Sequence, residues 1–107
     1  MGIKVVKFGG SSLADANQFR KVKEIVLADP ARRYVVPSAP GKRSYKDEKI
    51  TDLLYACARM AANGESIGEA FSQVTERYVD IAFELELAFD IMPVLDKVKA
   101  DIENGAG

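Results

Sequence analysis

The chain has 107 residues, 48% of them hydrophobic, which is typical of one soluble globular domain. Fifteen basic and sixteen acidic residues leave a net charge of −1 without a basic block, which argues against nucleic acid as a partner. The apolar stretches are far shorter than the roughly 20 residues of a membrane span, and the sequence lacks a signal-peptide core, so we expect a cytoplasmic protein with no membrane partner.

The chain contains no histidine and one cysteine, Cys57. The lack of histidine excludes Ser-His-Asp and Cys-His catalysis and the usual zinc sites, which leaves carboxylates, lysines, hydroxyls and backbone amides for chemistry. A single cysteine forms no internal disulfide, as suits a reducing compartment. Because Cys57 falls on the apolar side of a predicted helix, we expect a buried core thiol rather than a nucleophile.

The sequence begins with a predicted strand followed by a predicted helix. Residues 3–8 are mostly β-branched and apolar, which predicts a strand covered on both faces. Gly9 and Gly10 end this strand, and Ser12 and Asp15 stand at the spacing of a capping box. A helical apolar period then continues until the next proline, which predicts one amphipathic helix.

A second strand is predicted at residues 34–36, at a distance that suits a strand-helix-strand unit with parallel strands. Residues 38–49 are rich in Gly, Pro, Ser and charged residues and follow this strand directly. This composition predicts a mobile, solvated loop, whose lysines and arginine are alternatively able to close over anionic substrates.

The remaining sequence predicts three helices. The apolar stripe of residues 50–61 ends at Asn63 and Gly64, a pair typical of a helix C-terminus. Ser66 and Glu69 stand at capping-box spacing before the next helix, which we expect to be the longest. The last helix is predicted over residues 91–102.

Pro93 is tolerable in the first turn of that last helix, and Gly105 follows it as a stop signal. The fold class is therefore α/β, with a strand-helix-strand unit followed by three helices. Two parallel strands rarely form a stable sheet alone, so either the helices cover the sheet unusually well or residues 1–107 begin a larger domain. We expect no internal domain boundary and a domain that is incomplete.

The glycines that follow the first strand suggest an anion site. Gly9 and Gly10 permit positive φ and let a ligand approach backbone N–H groups without meeting a Cβ. Consecutive amides, the hydroxyls beside them and a helix N-terminus favour phosphate, and Lys7 adds a positive charge. A tight turn that uses glycine only for its geometry explains the residues equally well. Neither a Walker P-loop nor a G-x-G-x-x-G motif is present.

Three blocks of the sequence, in order, resemble the N-terminal segment of aspartate kinase, in the amino-acid kinase superfamily. They are KVVKFGGSSLADANQFRKV, RRYVVPSAPGKR and KITDLLYACA. The family patterns K-F-G-G-[TS]-S and V-V-x-S-A-x-G are specific when they occur together. The resemblance covers nearly the whole chain and implies the beginning of an amino-acid kinase fold.

The resemblance implies roles for the first block. Lys7 is expected to contact the phosphates of ATP and to stabilise the transferred group as a catalytic residue. The amides of Gly9 and Gly10 are expected to line the same oxyanions, with Ser12 at this phosphate-facing turn.

The resemblance also implies that Ser38 and Thr51 face the aspartate and γ-phosphate region. Without it, Ser38 is simply a loop hydroxyl and Thr51 a helix N-cap. Pro37 stands where the family usually has an aliphatic residue, and a proline inside a central strand removes a hydrogen-bond donor. Pro37 therefore either ends the second strand or, if the strand continues through it, costs a hydrogen bond or displaces the loop that carries Ser38.

The implied activity is transfer of the ATP γ-phosphate to the side-chain carboxylate of L-aspartate, with Mg²⁺, giving aspartyl phosphate. This is the first step toward lysine, threonine and methionine. A carboxylate with a pKa of about 4 is ionised at neutral pH, so the reaction needs no general base. The resemblance further implies a homo-oligomer, and it assigns no metal ligand in this chain.

Aspartate kinases are several times longer than this chain, so we expect the isolated chain to be inactive. Two alternatives remain open: a stand-alone helical binding or assembly module without catalysis, and an amino-acid kinase that acts on another carboxylate or a carbamate.

Overall fold

The computed structural model describes residues 2–105, which form two strands, one 3-10 helix and four α-helices. In chain order these elements are β1 (Lys4–Phe8), the 3-10 helix (Gly10–Leu13), α1 (Ala16–Ala28), β2 (Arg32–Pro37), α2 (Ile50–Ala62), α3 (Gly68–Glu84) and α4 (Met92–Gly105). The chain divides into two compact units, Met1–Ile50 and Thr51–Gly107. The predicted α/β class and order of elements are confirmed. That both units belong to one kinase domain stays a prediction.

The two strands of the first unit pair in parallel, as predicted. The register places Val5 opposite Tyr34 and Phe8 opposite Pro37. Pro37 is the last residue of β2, and the ladder continues through the Ser38 amide, which donates to the Phe8 carbonyl at 3.0 Å. In a parallel pair alternate amides point away from the partner strand, and Pro37 occupies such a position. The proline therefore ends the strand without loss of a β1–β2 hydrogen bond.

The expectation that β1 is covered on both faces is wrong for the described residues. Phe8 is buried and Val6 half-buried, whereas Val5, on the opposite face, is 69% exposed. Its partner Tyr34 is 60% exposed, and Val36 on the same face is 51% exposed. A two-stranded sheet has two broad faces, and the single α-helix of this unit covers at most one of them.

The first helix begins later than its capping-box pattern predicted. Asp15 is the N-cap of α1, with its Oδ1 accepting from the Gln18 amide at 3.0 Å. Ser12 lies inside the 3-10 helix and is no part of this cap. The Ser12–Asp15 capping box is therefore wrong, because residues Gly10–Leu13 form a 3-10 helix before α1 begins.

The second unit consists of α2, α3 and α4. Its buried apolar side chains come from all three helices and the α2–α3 connection: Leu53, Cys57, Ile67, Phe71, Val74, Ile81 and Leu95. With 17 residues, α3 is the longest helix described, as predicted. Its predicted capping box is wrong, because Ile67 is the N-cap and the Ser66 hydroxyl accepts from the Gly68 amide at 3.4 Å. Pro93 is the second residue of α4, as expected.

The end of α2 follows the predicted glycine pattern. Gly64 has a φ of 74° and donates to the Ala61 carbonyl at 3.0 Å. The next amide, Glu65, reaches back to the Met60 carbonyl at 2.8 Å. These two bonds form a Schellman motif, which satisfies the carbonyls at the end of the helix.

We predict that Gly64→Ala destabilises the protein by about 1 kcal/mol, because the left-handed conformation is costly for a residue with a Cβ. Thermal unfolding of the full-length protein measures the effect. Gly105→Ala is the matched control, since a Cβ there meets nothing within 4 Å and its backbone lacks a positive φ. Equal melting temperatures for the two variants would contradict the assigned role of Gly64.

We predict that native Cys57 resists alkylation by iodoacetamide at neutral pH. Its side chain is buried, and burial raises the pKa of the thiol, so little reactive thiolate forms. Peptide mass mapping checks labelling at Cys57, and the same reaction in guanidinium gives the unprotected rate. Comparable labelling in both conditions would show that the thiol is accessible in the native protein.

Candidate functional site

The candidate site lies at the carboxyl ends of β1 and β2. Two chain segments leave the sheet here, namely the glycine turn (residues 9–12) and the basic loop (residues 38–49). They meet through backbone hydrogen bonds from Ser38 to the Phe8 carbonyl at 3.0 Å and from Gly41 to the Gly10 carbonyl at 2.8 Å. Parallel pairing places both carboxyl ends at one edge, so the two segments lie side by side.

The glycine turn is built with ordinary backbone angles. Gly9 is extended, with φ −77° and ψ 175°, and the Ser12 amide donates to its carbonyl at 3.1 Å. Neither Gly9 nor Gly10 has a positive φ. The positive φ that glycine permits is therefore not used here, because a 3-10 turn makes this connection with negative φ.

The two glycines differ in what surrounds them. A Cβ on Gly9 would meet nothing within 4 Å, so the backbone there is open to a ligand. A Cβ on Gly10 would lie 3.2 Å from the Cα of Gly41, so this glycine faces another part of the protein. Backbone without a side chain or a close neighbour at residue 9 suits the approach of an anion.

Lys7 is exposed and lies on the face of β1 opposite Phe8. Its register partner is Val36, which offers no charge. Within residues 2–105 its ammonium group makes no hydrogen bond or ion pair. Three donor hydrogens therefore remain available two residues before the glycine turn.

The other predicted site residues divide between the two units. Ser12, half-buried in the glycine turn, and Ser38, exposed at the start of the basic loop, lie at the same sheet edge as Lys7. Thr51 is the second residue of α2 and belongs to the second unit. Interpreting Thr51 as an N-cap is wrong, because α2 already begins at Ile50.

The basic loop has internal hydrogen bonds although it has no regular secondary structure. The Ile50 amide donates to the Pro40 carbonyl at 3.1 Å and closes the base of the loop. Arg43 binds Asp47 through its backbone amide, its Nε and a terminal nitrogen, at 2.9, 2.7 and 3.1 Å. Its side chain is thereby fixed within the loop. The lysines of the loop, Lys42, Lys46 and Lys49, are all exposed.

The described residues give no sign of a metal site or a membrane segment. No group of three His, Cys, Asp or Glu side chains in residues 2–105 is arranged to hold a metal ion. No helix in this range is long and apolar enough to cross a membrane.

Sequence reasoning missed Gly41 as a site residue. This residue is buried and its amide binds the glycine turn. The available signal was the last position of the V-V-x-S-A-x-G pattern, which Gly41 occupies in the segment that follows the second predicted strand.

Comparisons with known proteins give consistent matches. Aspartokinase 3 of Bacillus subtilis (strain 168) is 49% identical over 94% of this chain, which corresponds to 21% of that protein. Chloroplastic aspartokinase 2 of Arabidopsis thaliana is 37% identical over 76% of this chain and 14% of its own length. No protein-family profile matches the chain.

The crystal structure of aspartate kinase from Clostridium acetobutylicum matches with a TM-score of 0.93 and 53% identity. The match covers 98% of this chain and 24% of the crystallised one. The chain therefore spans a fifth to a quarter of these two bacterial relatives. Similarity in both sequence and fold over nearly every residue identifies the chain as a segment of the aspartate kinase family.

Proposed function

We propose that this chain is part of an enzyme that transfers the γ-phosphate of ATP to the side-chain carboxylate of L-aspartate. The main support is the similarity to aspartokinases in sequence and in fold. The single structural observation behind the proposal is an exposed lysine, unpaired among residues 2–105, that precedes a turn with open space at the exposed Gly9. That combination suits the phosphate groups of a nucleotide.

In this proposal Lys7 is the catalytic residue. Its ammonium group contacts the phosphates and balances the charge that builds up on the transferred group. The amides of Gly9 and Gly10 line the same oxygens, and Ser12 lies at the phosphate-facing turn. Charge neutralisation and positioning are the main requirements of phosphoryl transfer, so these groups are chemically sufficient for this part of the site.

We assign Ser38 and Thr51 to the side of the site that faces aspartate and the γ-phosphate. The backbone of Ser38 is fixed on Phe8, which leaves its exposed hydroxyl at the sheet edge beside the glycine turn. Thr51 is exposed in the first turn of α2, where a helix N-terminus favours negative charge.

The reaction requires no proton transfer. A carboxylate oxygen of aspartate forms a bond to the γ-phosphorus, and the bond from that phosphorus to the bridging oxygen of ADP breaks. ADP leaves with the electron pair, and the product is aspartyl phosphate. The carboxylate is ionised at neutral pH, so the absence of histidine from this chain is compatible with the chemistry.

Mg²⁺ is the usual companion of ATP in such reactions. Such an ion is held mainly by the phosphates and waters with one or two carboxylates, and this proposal assigns no metal ligand within residues 2–105. No step above therefore depends on a metal held by this segment. We further propose that the whole enzyme is cytoplasmic and homo-oligomeric and that it acts in the synthesis of lysine, threonine and methionine. The support for this part is the similarity to aspartokinases.

We predict that Lys7→Ala in the full-length protein lowers kcat for aspartyl phosphate formation about 100- to 1,000-fold, because a charge that stabilises the transition state is lost. Trapping aspartyl phosphate with hydroxylamine measures the rate. The melting temperature should stay near the wild-type value, since the Lys7 side chain is exposed.

Lys4→Ala is the matched control on the same strand. The Lys4 ammonium group binds Asp29 at 2.7 Å, at the opposite end of β1, and this hydrogen bond lowers the pKa of that carboxyl. We expect the Lys4 variant to keep the wild-type turnover. Wild-type turnover in the Lys7 variant would remove Lys7 from the mechanism and contradict the proposed site.

A further inference from the structure

Two glycine backbones touch at the candidate site. The Gly41 amide donates to the Gly10 carbonyl at 2.8 Å. A Cβ built on Gly41 would lie 2.6 Å from the Gly10 carbonyl carbon, 2.8 Å from its oxygen and 2.9 Å from the Ser11 nitrogen. All three atoms belong to the backbone of the glycine turn. The space beside Gly41 is therefore occupied by the peptide bond that joins Gly10 to Ser11.

A side chain at residue 41 cannot be accommodated by a change of rotamer. Carbon atoms pack favourably at about 3.5–4.0 Å, so a methyl group on Gly41 is too close by roughly 1 Å. The opposing atoms are main-chain atoms of a 3-10 turn and have no side-chain freedom to move aside. Any Cβ at residue 41 must therefore push the glycine turn and the basic loop apart.

The contact also has a fixed support on the basic-loop side. Ser38 is held by the Phe8 carbonyl, and the Pro40 carbonyl accepts from the Ile50 amide at 3.1 Å. Pro40 and Gly41 are buried. The short stretch from Ser38 to Gly41 is therefore anchored on both sides of the contact.

We propose that Gly41 is a positioning residue, which sets the location of the Gly9–Gly10 amides through its backbone contact with Gly10. The inference rests on the proposed function, because those amides matter as ligands only if the glycine turn binds phosphate. Gly41 itself does not contact the nucleotide in this account. Its missing side chain and its amide hydrogen bond keep the turn in register with Lys7.

The first experiment is a double-mutant cycle in the full-length protein with Gly41→Ala, Gly10→Ala and both together. We expect Gly41→Ala to lower kcat/KM for ATP about 10- to 100-fold, because a displacement near 1 Å misaligns the phosphates. A Cβ on Gly10 would meet the Gly41 Cα at 3.2 Å, so Gly10→Ala strains the same contact from the other side. The double variant should lose less than the product of the two single losses.

Gly105→Ala is the control, because a Cβ there meets nothing within 4 Å. Combined with Gly41→Ala, it should leave the Gly41→Ala loss in kcat/KM for ATP unchanged. Multiplicative losses in the Gly10/Gly41 cycle would overturn the inference. So would a Gly41→Ala protein that has a lower melting temperature but wild-type kinetics for ATP, since its role would then be stability alone.

A second experiment needs no variant and decides the case in which Gly41→Ala fails to fold. Amide hydrogen exchange is measured in the wild-type full-length protein with and without a non-hydrolysable ATP analogue. A nucleotide that holds the glycine turn should also strengthen the Gly41 hydrogen bond and slow exchange of the Gly41 amide. Unchanged exchange at saturating analogue would overturn the inference.

Failure of the proposed function has a different signature. In that case Lys7→Ala keeps its turnover, and the positioning inference falls with it. If only the inference fails, Lys7→Ala is inactive while Gly41→Ala keeps wild-type kinetics for ATP.

Discussion

The parallel hydrogen-bonded ladder between β1 and β2 is the constraint on which the candidate site depends. A parallel ladder aligns the carboxyl ends of its strands, so whatever follows each strand must lie at the same edge. It also requires a crossover, and α1 is the helix of that crossover. The ladder extends beyond the last strand residue through Ser38 and Phe8, and it brings the basic loop against the glycine turn.

The close packing at this sheet edge explains why residues 9 and 10 are glycines better than conformational freedom does. Neither Gly9 nor Gly10 uses a positive φ, so their value lies in the missing Cβ. At Gly9 the missing side chain leaves open space. At Gly10 it allows the approach of Gly41, which itself has no room for a Cβ. Gly9 therefore leaves its backbone uncovered, whereas Gly10 and Gly41 allow two main chains to pack directly.

The sequence pattern predicted what depends on near neighbours along the chain. The parallel strands, the glycine at the end of α2 and the proline in the first turn of α4 follow from local spacing and residue type, and the structure has all three. The Ser12–Asp15 capping box failed because its spacing is equally compatible with a 3-10 helix followed by a single Asp15 cap.

The sequence pattern did not predict contacts between residues that are distant in the chain. The contact between Gly10 and Gly41 joins residues far apart in the chain, and neither segment alone indicates the other. The coverage of β1 was mispredicted for a related reason, since an apolar strand does not reveal which of its faces has a neighbour. The candidate site residues were predicted from the resemblance to aspartate kinases. Without that resemblance, the glycines after β1 fit a tight turn as well as they fit a phosphate site.

The two lysines of β1 illustrate how position determines what a charge can do. Lys4 lies at the start of the strand, where Asp29 neutralises it at 2.7 Å. An exposed pair of this kind contributes little to stability, and it also occupies the ammonium group. Lys7 lies near the carboxyl end without an acidic partner among the described residues, beside the apolar Val36. An anion at the glycine turn therefore competes with no carboxylate of the described residues for Lys7. Strand position thus separates a lysine that is already paired with a carboxylate from one whose ammonium group has no acidic partner among the described residues.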